Sequence, residues 1–168
     1  TSNVASGLKS TVPGGDDNTA AGSFSFAAGR GANANAAGCF VWSDSQGTAL
    51  NCGGTADRFV TRAVGGYAFW ANTAHTTGCT IPAGGGAMTC TSDRNTKQNI
   101  SAIDGNDVLA RLREVPVSMW QYESEVSGAW HVGPMAQDFM AAFGLGDSEK
   151  SIGVLDASGV ALAGVKAL

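Results

Sequence analysis

The sequence predicts an α+β chain in two unlike parts: an all-β, repeat-built N-terminal stretch, then a small mixed helical domain with short strands. Three observations predict it. A rhythm of seven runs through residues 18–34. The 24 glycines, about twice the usual share of roughly 7%, are concentrated before residue 92. Apolar residues at helical spacing, flanked by capping residues, begin only near residue 104.

The repeat reads Asn18-x-Ala20-x-Gly22-x-x-Ser25-x-Ala27-x-Gly29-x-x-Ala32-x-Ala34. Within each unit the alternation has a period of two, the mark of a strand, and glycine permits a positive φ at each corner. A coiled coil would place large apolar residues where Ala and Gly stand, so that reading is rejected. A coil of short strands turning every seven residues has a thin interior, which suits Ala and Ser. It buries little apolar area per chain, so stacked neighbours and association of several chains are expected. A disordered Gly/Ala linker is the plainer reading, but Phe24, Phe26, Phe40, Val41 and Trp42 punctuate the repeat. The expected domains are 1–38, β-roll repeats; 39–91, a β-rich stalk; and 92–168, the mixed helical unit. In the stalk, Cys39 to Asp44, Arg58 to Ala63 and Gly65 to Trp70 read as short strands between Gly, Asn and Thr turns.

In the C-terminal part, Asp104 caps a helix running to about Glu114, with Val108, Leu109, Leu112 and Val115 on one face and Pro116 as its stop. Val117 to Tyr122 reads as a strand. Pro134 opens a second helix that places Met135, Phe139 and Phe143 at i, i+4 and i+8, and Gly144 closes it. Ile152 to Leu155 reads as a strand, Asp156 to Gly159 as a turn, and Val160 to Leu168 as the start of a third helix. So small a domain makes a marginal core. Its aromatic residues are numerous for that size, and some of that surface is expected to meet other chains.

Charge is sparse, at 14% of residues, with a net of −4 and a pI near 4.9. No basic stripe exists to neutralise phosphates, so nucleic acid is not an expected partner. No apolar run approaches the roughly 20 residues of a membrane span. The chain lacks a leading Met and a signal-like start, and its last helix meets the end of the chain without a cap; it reads as a piece of something longer. No metal-loop spacing is present, and no cofactor is expected. Cys39, Cys52, Cys79 and Cys90 contain no CxxC pair, which argues against zinc. Their even number permits Cys39–Cys52 and Cys79–Cys90 as neighbouring-strand disulfides; small buried thiols in tight turns fit the same residues.

The seam between the two parts is Ser92-Asp93-Arg94-Asn95-Thr96-Lys97. A serine with a lysine five residues on is compatible with a hydroxyl nucleophile served by an amine base. On one helix the two would lie about 140° apart, so Ser92 is expected on an extended or turned segment with Lys97 folding back. The plainer reading makes Ser92 or Asp93 a cap and Lys97 a solvated charge. A serine cutting the bond on its own N-terminal side would use an N→O acyl shift and then water. Proximity can supply on the order of 7–11 kcal/mol in such intramolecular cases. A lysine acts as a base only where burial or nearby cations disfavour its charge. Lowering an ordinary lysine to roughly 7.5 destabilises the charged form by about 4 kcal/mol.

The ordered motifs Ser92-Asp93-Arg94-Asn95-x-Lys97-x-Asn99-Ile100, Trp120-x-Tyr122, His131 to Phe139 and Asp156-x-x-Gly159-Val160-Ala161-Leu162-Ala163 resemble the C-terminal intramolecular chaperone domain of phage endosialidases and tail fibres. The N-terminal repeat resembles the head repeats of trimeric autotransporter adhesins. The first resemblance implies a homotrimeric folding clamp that assembles an intertwined trimeric β-roll or β-stalk and then releases itself as a single-turnover self-cleaving serine peptidase. By carry-over, Thr91–Ser92 is the cleavage site, Ser92 the nucleophile and Lys97 the base. Asn95, His131 and Asp93 are auxiliary candidates: Asn95 as an oxyanion donor or turn closer, His131 as orienter of water or structural residue, Asp93 as a charge opposing the base. The sequence departs from the family at Thr96, Gln98 and Trp130, where Leu, Glu and Arg are common; the dyad itself is unaltered. The implied setting is a virion tail or an extracellular surface, with a host glycan or receptor as a partner of the parent protein. Two other functions fit the same chain: a trimerising module that never cuts, and an adhesin head using Trp42, Phe69 and Trp70.

Overall fold

The rhythm of seven folds into half-coils. Eight short strands, β1 (Val4–Ala5), β2 (Gly15–Asp16), β3 (Thr19–Ala20), β4 (Phe26–Arg30), β5 (Ala32–Ala34), β6 (Phe40–Ser43), β7 (Leu50–Asn51) and β8 (Phe59–Arg62), alternate between two parallel sheets. The odd-numbered strands stack in one sheet and the even-numbered in the other. Gly15 faces Gly29, Thr19 faces Asn33 and Phe26 faces Phe40, so one coil takes fourteen residues, two sequence repeats. The coil therefore turns at half the frequency that the sequence suggests, because successive units land on opposite sheets. In the last coil Phe40 faces Phe59 across a longer connection. The parallel ladder runs on through β6 and β8 to Arg62. The computed structural model describes residues 2–168, in two units, one ending at Gln98 and the other spanning Asn99–Leu168.

The coil interior is one or two small side chains thick. Ala20, Ala27, Ala32, Ala34, Val41, Cys39 and Cys52 fill it, and Cys39–Cys52 form a disulfide across it. Asn18 is fully buried in the same interior. Its amide is satisfied on both sides: Oδ1 accepts from Ala32 N at 2.9 Å, and Nδ2 donates to Gly29 O at 2.8 Å and Gly14 O at 3.2 Å. Nδ2 also lies 3.1 Å from Asn3 Oδ1 in the preceding coil, so the buried amide ties three coils together without leaving an orphan group. Gly29, with φ +94°, sits where a Cβ would run into the Ser43 carbonyl of the next coil. One corner of every coil takes left-handed backbone, at Lys9, Phe24, Gly38 and Asp57. Outside the even-numbered sheet, Phe26, Phe40 and Phe59 stack face to face at 4.6 and 4.7 Å, the register of a parallel ladder repeated in side chains.

Strands β9 (Gly66–Trp70), β10 (Gly78–Pro82) and β11 (Thr89–Cys90) follow as an antiparallel sheet in the order β11-β10-β9. Cys79 lies directly opposite Cys90, and the two are disulfide-bonded. Both cysteine pairs that the spacing permits are thus formed. A 3-10 turn, Arg94–Thr96, closes this unit.

The second unit is mixed. Helix α1 (Gly105–Glu114) is capped by Asp104, whose side chain accepts from Asn106 N, as the sequence predicts. Strands β12 (Ser118–Trp120) and β13 (His131–Gly133) form a hairpin, and α2 (Ala136–Phe143) ends at left-handed Gly144. Helix α3 (Val154–Ala167) corrects the reading of the last segment: no strand forms at Ile152 to Leu155 and no turn at Asp156 to Gly159. Asp156 sits in the first helical turn, where a carboxylate favours the exposed N–H groups. Val160 and Gly164 then bury against α1, which outweighs the local turn propensity of Ser158-Gly159. The core is Val108, Phe139 and Val160, backed by Leu112, Phe143, Ile152 and Ala163.

Candidate active site

The site is built at the end of the antiparallel sheet. Strand β11 pairs with β10 only over Thr89 and Cys90, and Thr91 prolongs the pairing through its side chain. Thr91 N donates to Gly78 O at 2.9 Å, and Thr91 Oγ1 donates to the same oxygen at 3.1 Å. Gly78 N in turn donates to Thr91 Oγ1 at 3.3 Å. The residue before the seam is therefore fastened to the sheet by backbone and hydroxyl together.

The chain then reverses. Asp93 Oδ1 accepts from Asn95 N at 2.9 Å and from Asn95 Nδ2 at 3.1 Å, an Asx-type cap that starts the 3-10 turn. Thr96 Oγ1 closes it on Asp93 O at 2.9 Å, and Lys97 N donates to Arg94 O at 3.2 Å. Lys97 leaves the turn with extended backbone. Its side chain folds back so that Nζ donates to Ser92 Oγ at 2.7 Å. That is a short contact. Ser92 and Lys97 are both exposed in the single chain.

Of the residues singled out from the sequence, Thr91, Ser92, Asp93, Asn95 and Lys97 fall in one continuous turn of the first unit. His131 belongs to the second unit. There its Nε2 lies 2.8 Å from Glu125 Oε2, and its ring stacks on Trp120 with centroids 4.7 Å apart. The Ser127 hydroxyl, then His131, hold the Glu125 carboxyl below its ordinary value. Two features escape a reading of sequence alone. The Thr91–Gly78 clamp depends on hairpin register across the loop after Gly78, which no local motif encodes. Glu125 lies in a loop with no periodic signal, although the Asx turn at Asp93-x-Asn95 is a legible one.

Residues 92–144 match the family model described as chaperone of endosialidase. Over these residues the chain is similar to that family. The match opens at Ser92, ends at the Gly144 cap of α2, and covers about a third of the chain. It contains every residue of the seam from the serine onward, together with the His131 hairpin, and it leaves the coils and α3 outside. No curated protein and no solved structure matches the chain. No helix among the described residues is long and apolar enough to cross a membrane.

Proposed function

We propose that residues 92–168 act as a homotrimeric folding chaperone for the β-rich part, at the end of a tail-fibre or tailspike type of protein, and release themselves by cutting Thr91–Ser92. The observation that carries this reading is the 2.7 Å hydrogen bond between Lys97 Nζ and Ser92 Oγ at the first residue of the chaperone-type segment. With the amine in its neutral form, Lys97 takes the Ser92 hydroxyl proton as Oγ attacks the Thr91 carbonyl carbon. The Thr91–Ser92 C–N bond breaks, the proton passes from Lys97 to the departing Ser92 nitrogen, and an ester links Thr91 to Ser92 Oγ. Water hydrolyses that ester, leaving a carboxylate on Thr91 and a free amine and hydroxyl on Ser92.

The auxiliary residues take roles consistent with their contacts. Asn95 Nδ2 carries two hydrogens and gives one to Asp93, which leaves a donor for the developing oxyanion. Asp93 is occupied as the cap of the turn, a positional duty that spends its carboxylate on Asn95. His131 is braced within the second unit by Glu125 and Trp120.

Assembly supplies what the isolated chain lacks. Lys97 is exposed in the single chain; a trimer contact that dries it disfavours a charged amine and makes cutting wait for assembly. The second unit has surface to give to such contacts. Helix α3 is apolar on more than its packed face, with Val154 80%, Leu162 70% and Val165 69% exposed. Exposed apolar surface of that extent suits contact with another chain. The parent protein is placed on a virion tail or an extracellular surface, with a host glycan or receptor as its own partner.

The test is mass spectrometry of the expressed chain. Fragments 1–91 and 92–168, both lost in Ser92→Ala, support the reading. An intact wild-type trimer would leave a structural module that does not cut.

A further inference from the structure

The Thr91 side chain takes a place in the β10–β11 ladder that a backbone carbonyl ordinarily holds. In an antiparallel pair, two opposed residues exchange both N–H···O=C bonds. Thr91 N gives its half of that exchange to Gly78 O, but Gly78 N returns its hydrogen to Thr91 Oγ1 at 3.3 Å. Among the described residues the Thr91 carbonyl oxygen accepts no hydrogen bond. One residue earlier, Cys79 and Cys90 are opposite each other and covalently joined, so the register at Thr91 cannot slip.

We infer that Thr91 is a positioning residue for the cleavage: its hydroxyl replaces its own carbonyl in the ladder, which fixes the residue on the sheet while leaving the carbonyl open to Ser92 Oγ and to an oxyanion donor. The inference rests on the proposed cutting of Thr91–Ser92 and deepens it. A carbonyl bonded into the ladder would be held in the sheet plane and aimed at Gly78. Freed, it has its carbon beside the neighbouring hydroxyl, with its oxygen able to turn toward a donor such as Asn95. The clamp also assigns a preference at the residue before the serine. Threonine and serine carry the needed hydroxyl on Cβ, and valine has the shape of threonine without it.

The experiment is a pulse-labelled expression time course of the full chain, read by gel for the appearance of fragment 92–168. Thr91→Ser is expected to cut within about twofold of wild type, and Thr91→Val at least about tenfold more slowly, the scale on which small misplacements act in proximity-driven reactions. Rescue by serine separates positioning from simple packing, because serine lacks the methyl group. Equal rates for Thr91→Val and wild type would overturn the inference while leaving Ser92-dependent cutting intact. A wild-type chain that never cuts would overturn the proposed function itself. Where Thr91→Val does not fold, Thr91→Ala replaces it with the same expected slowing. Failure of both to fold, with Thr91→Ser intact, would make the hydroxyl a folding requirement and overturn the positioning role.

Discussion

Ser92 and Lys97 meet because the four residues between them, Asp93 to Thr96, make a capped turn, and each of the pair can be tested alone. Lys97→Met is expected to stop cutting, and Lys97→Arg to fail as a substitute, since a guanidinium is never neutral in a protein. Fragment yield on a gel measures both. At Glu125 the prediction is one of pH. Its carboxyl is held below the ordinary 4.5 by Ser127 and then by His131, so the folded state binds its proton less readily than the unfolded chain. That contribution to stability is full above pH 4.5 and is lost as pH falls through the lowered folded value. Glu125→Gln should therefore flatten the acid limb of Tm against pH, measured between pH 3 and pH 6. The meeting of Ser92 and Lys97 was legible in the sequence because a serine and a lysine at a compositional seam, with ordered motifs downstream, narrow the choices. The Thr91–Gly78 clamp was not legible, because hairpin register decides it.

At the scale of the element, the coil was legible as a rhythm but not as a pitch. Alanine and glycine every seven residues show that small residues recur inward. Strand pairing, as of Gly15 with Gly29 and Phe26 with Phe40, shows that two units make a turn. Helix α3 was hidden for the opposite reason: Asp156, Ser158 and Gly159 are local breakers, and burial of Val160 and Gly164 against α1 overrides them. The buried Asn18 gives the clearest energetic prediction. Asn18→Ala strips partners from Ala32 N and Gly29 O inside the coil. It should destabilise the first unit by about 2–3 kcal/mol, the penalty for buried polar groups left unpaired. Denaturant unfolding of an uncut Ser92→Ala background checks this. Val41, fully buried in the same interior, should lose about 2 kcal/mol on truncation to Ala through the cavity left behind.

At the scale of the whole molecule, one chain holds a thin coil that buries little and a helical unit that exposes much. Both ask for neighbouring copies. Sedimentation equilibrium of the Ser92→Ala chain should give three copies, and Leu162→Glu on the exposed face of α3 should lower that number and slow cutting in an otherwise wild-type chain. The expectation of an oligomer rests only on resemblance and on an excess of aromatic and aliphatic surface; no residue pattern states the number three. The most direct test of the central claim is intact-mass analysis of the wild-type chain beside Ser92→Ala after expression and assembly. The account predicts two masses, for residues 1–91 and 92–168, from the wild type and one uncut mass from the variant. A single full-length mass from both, or a cut at any other bond, would contradict it.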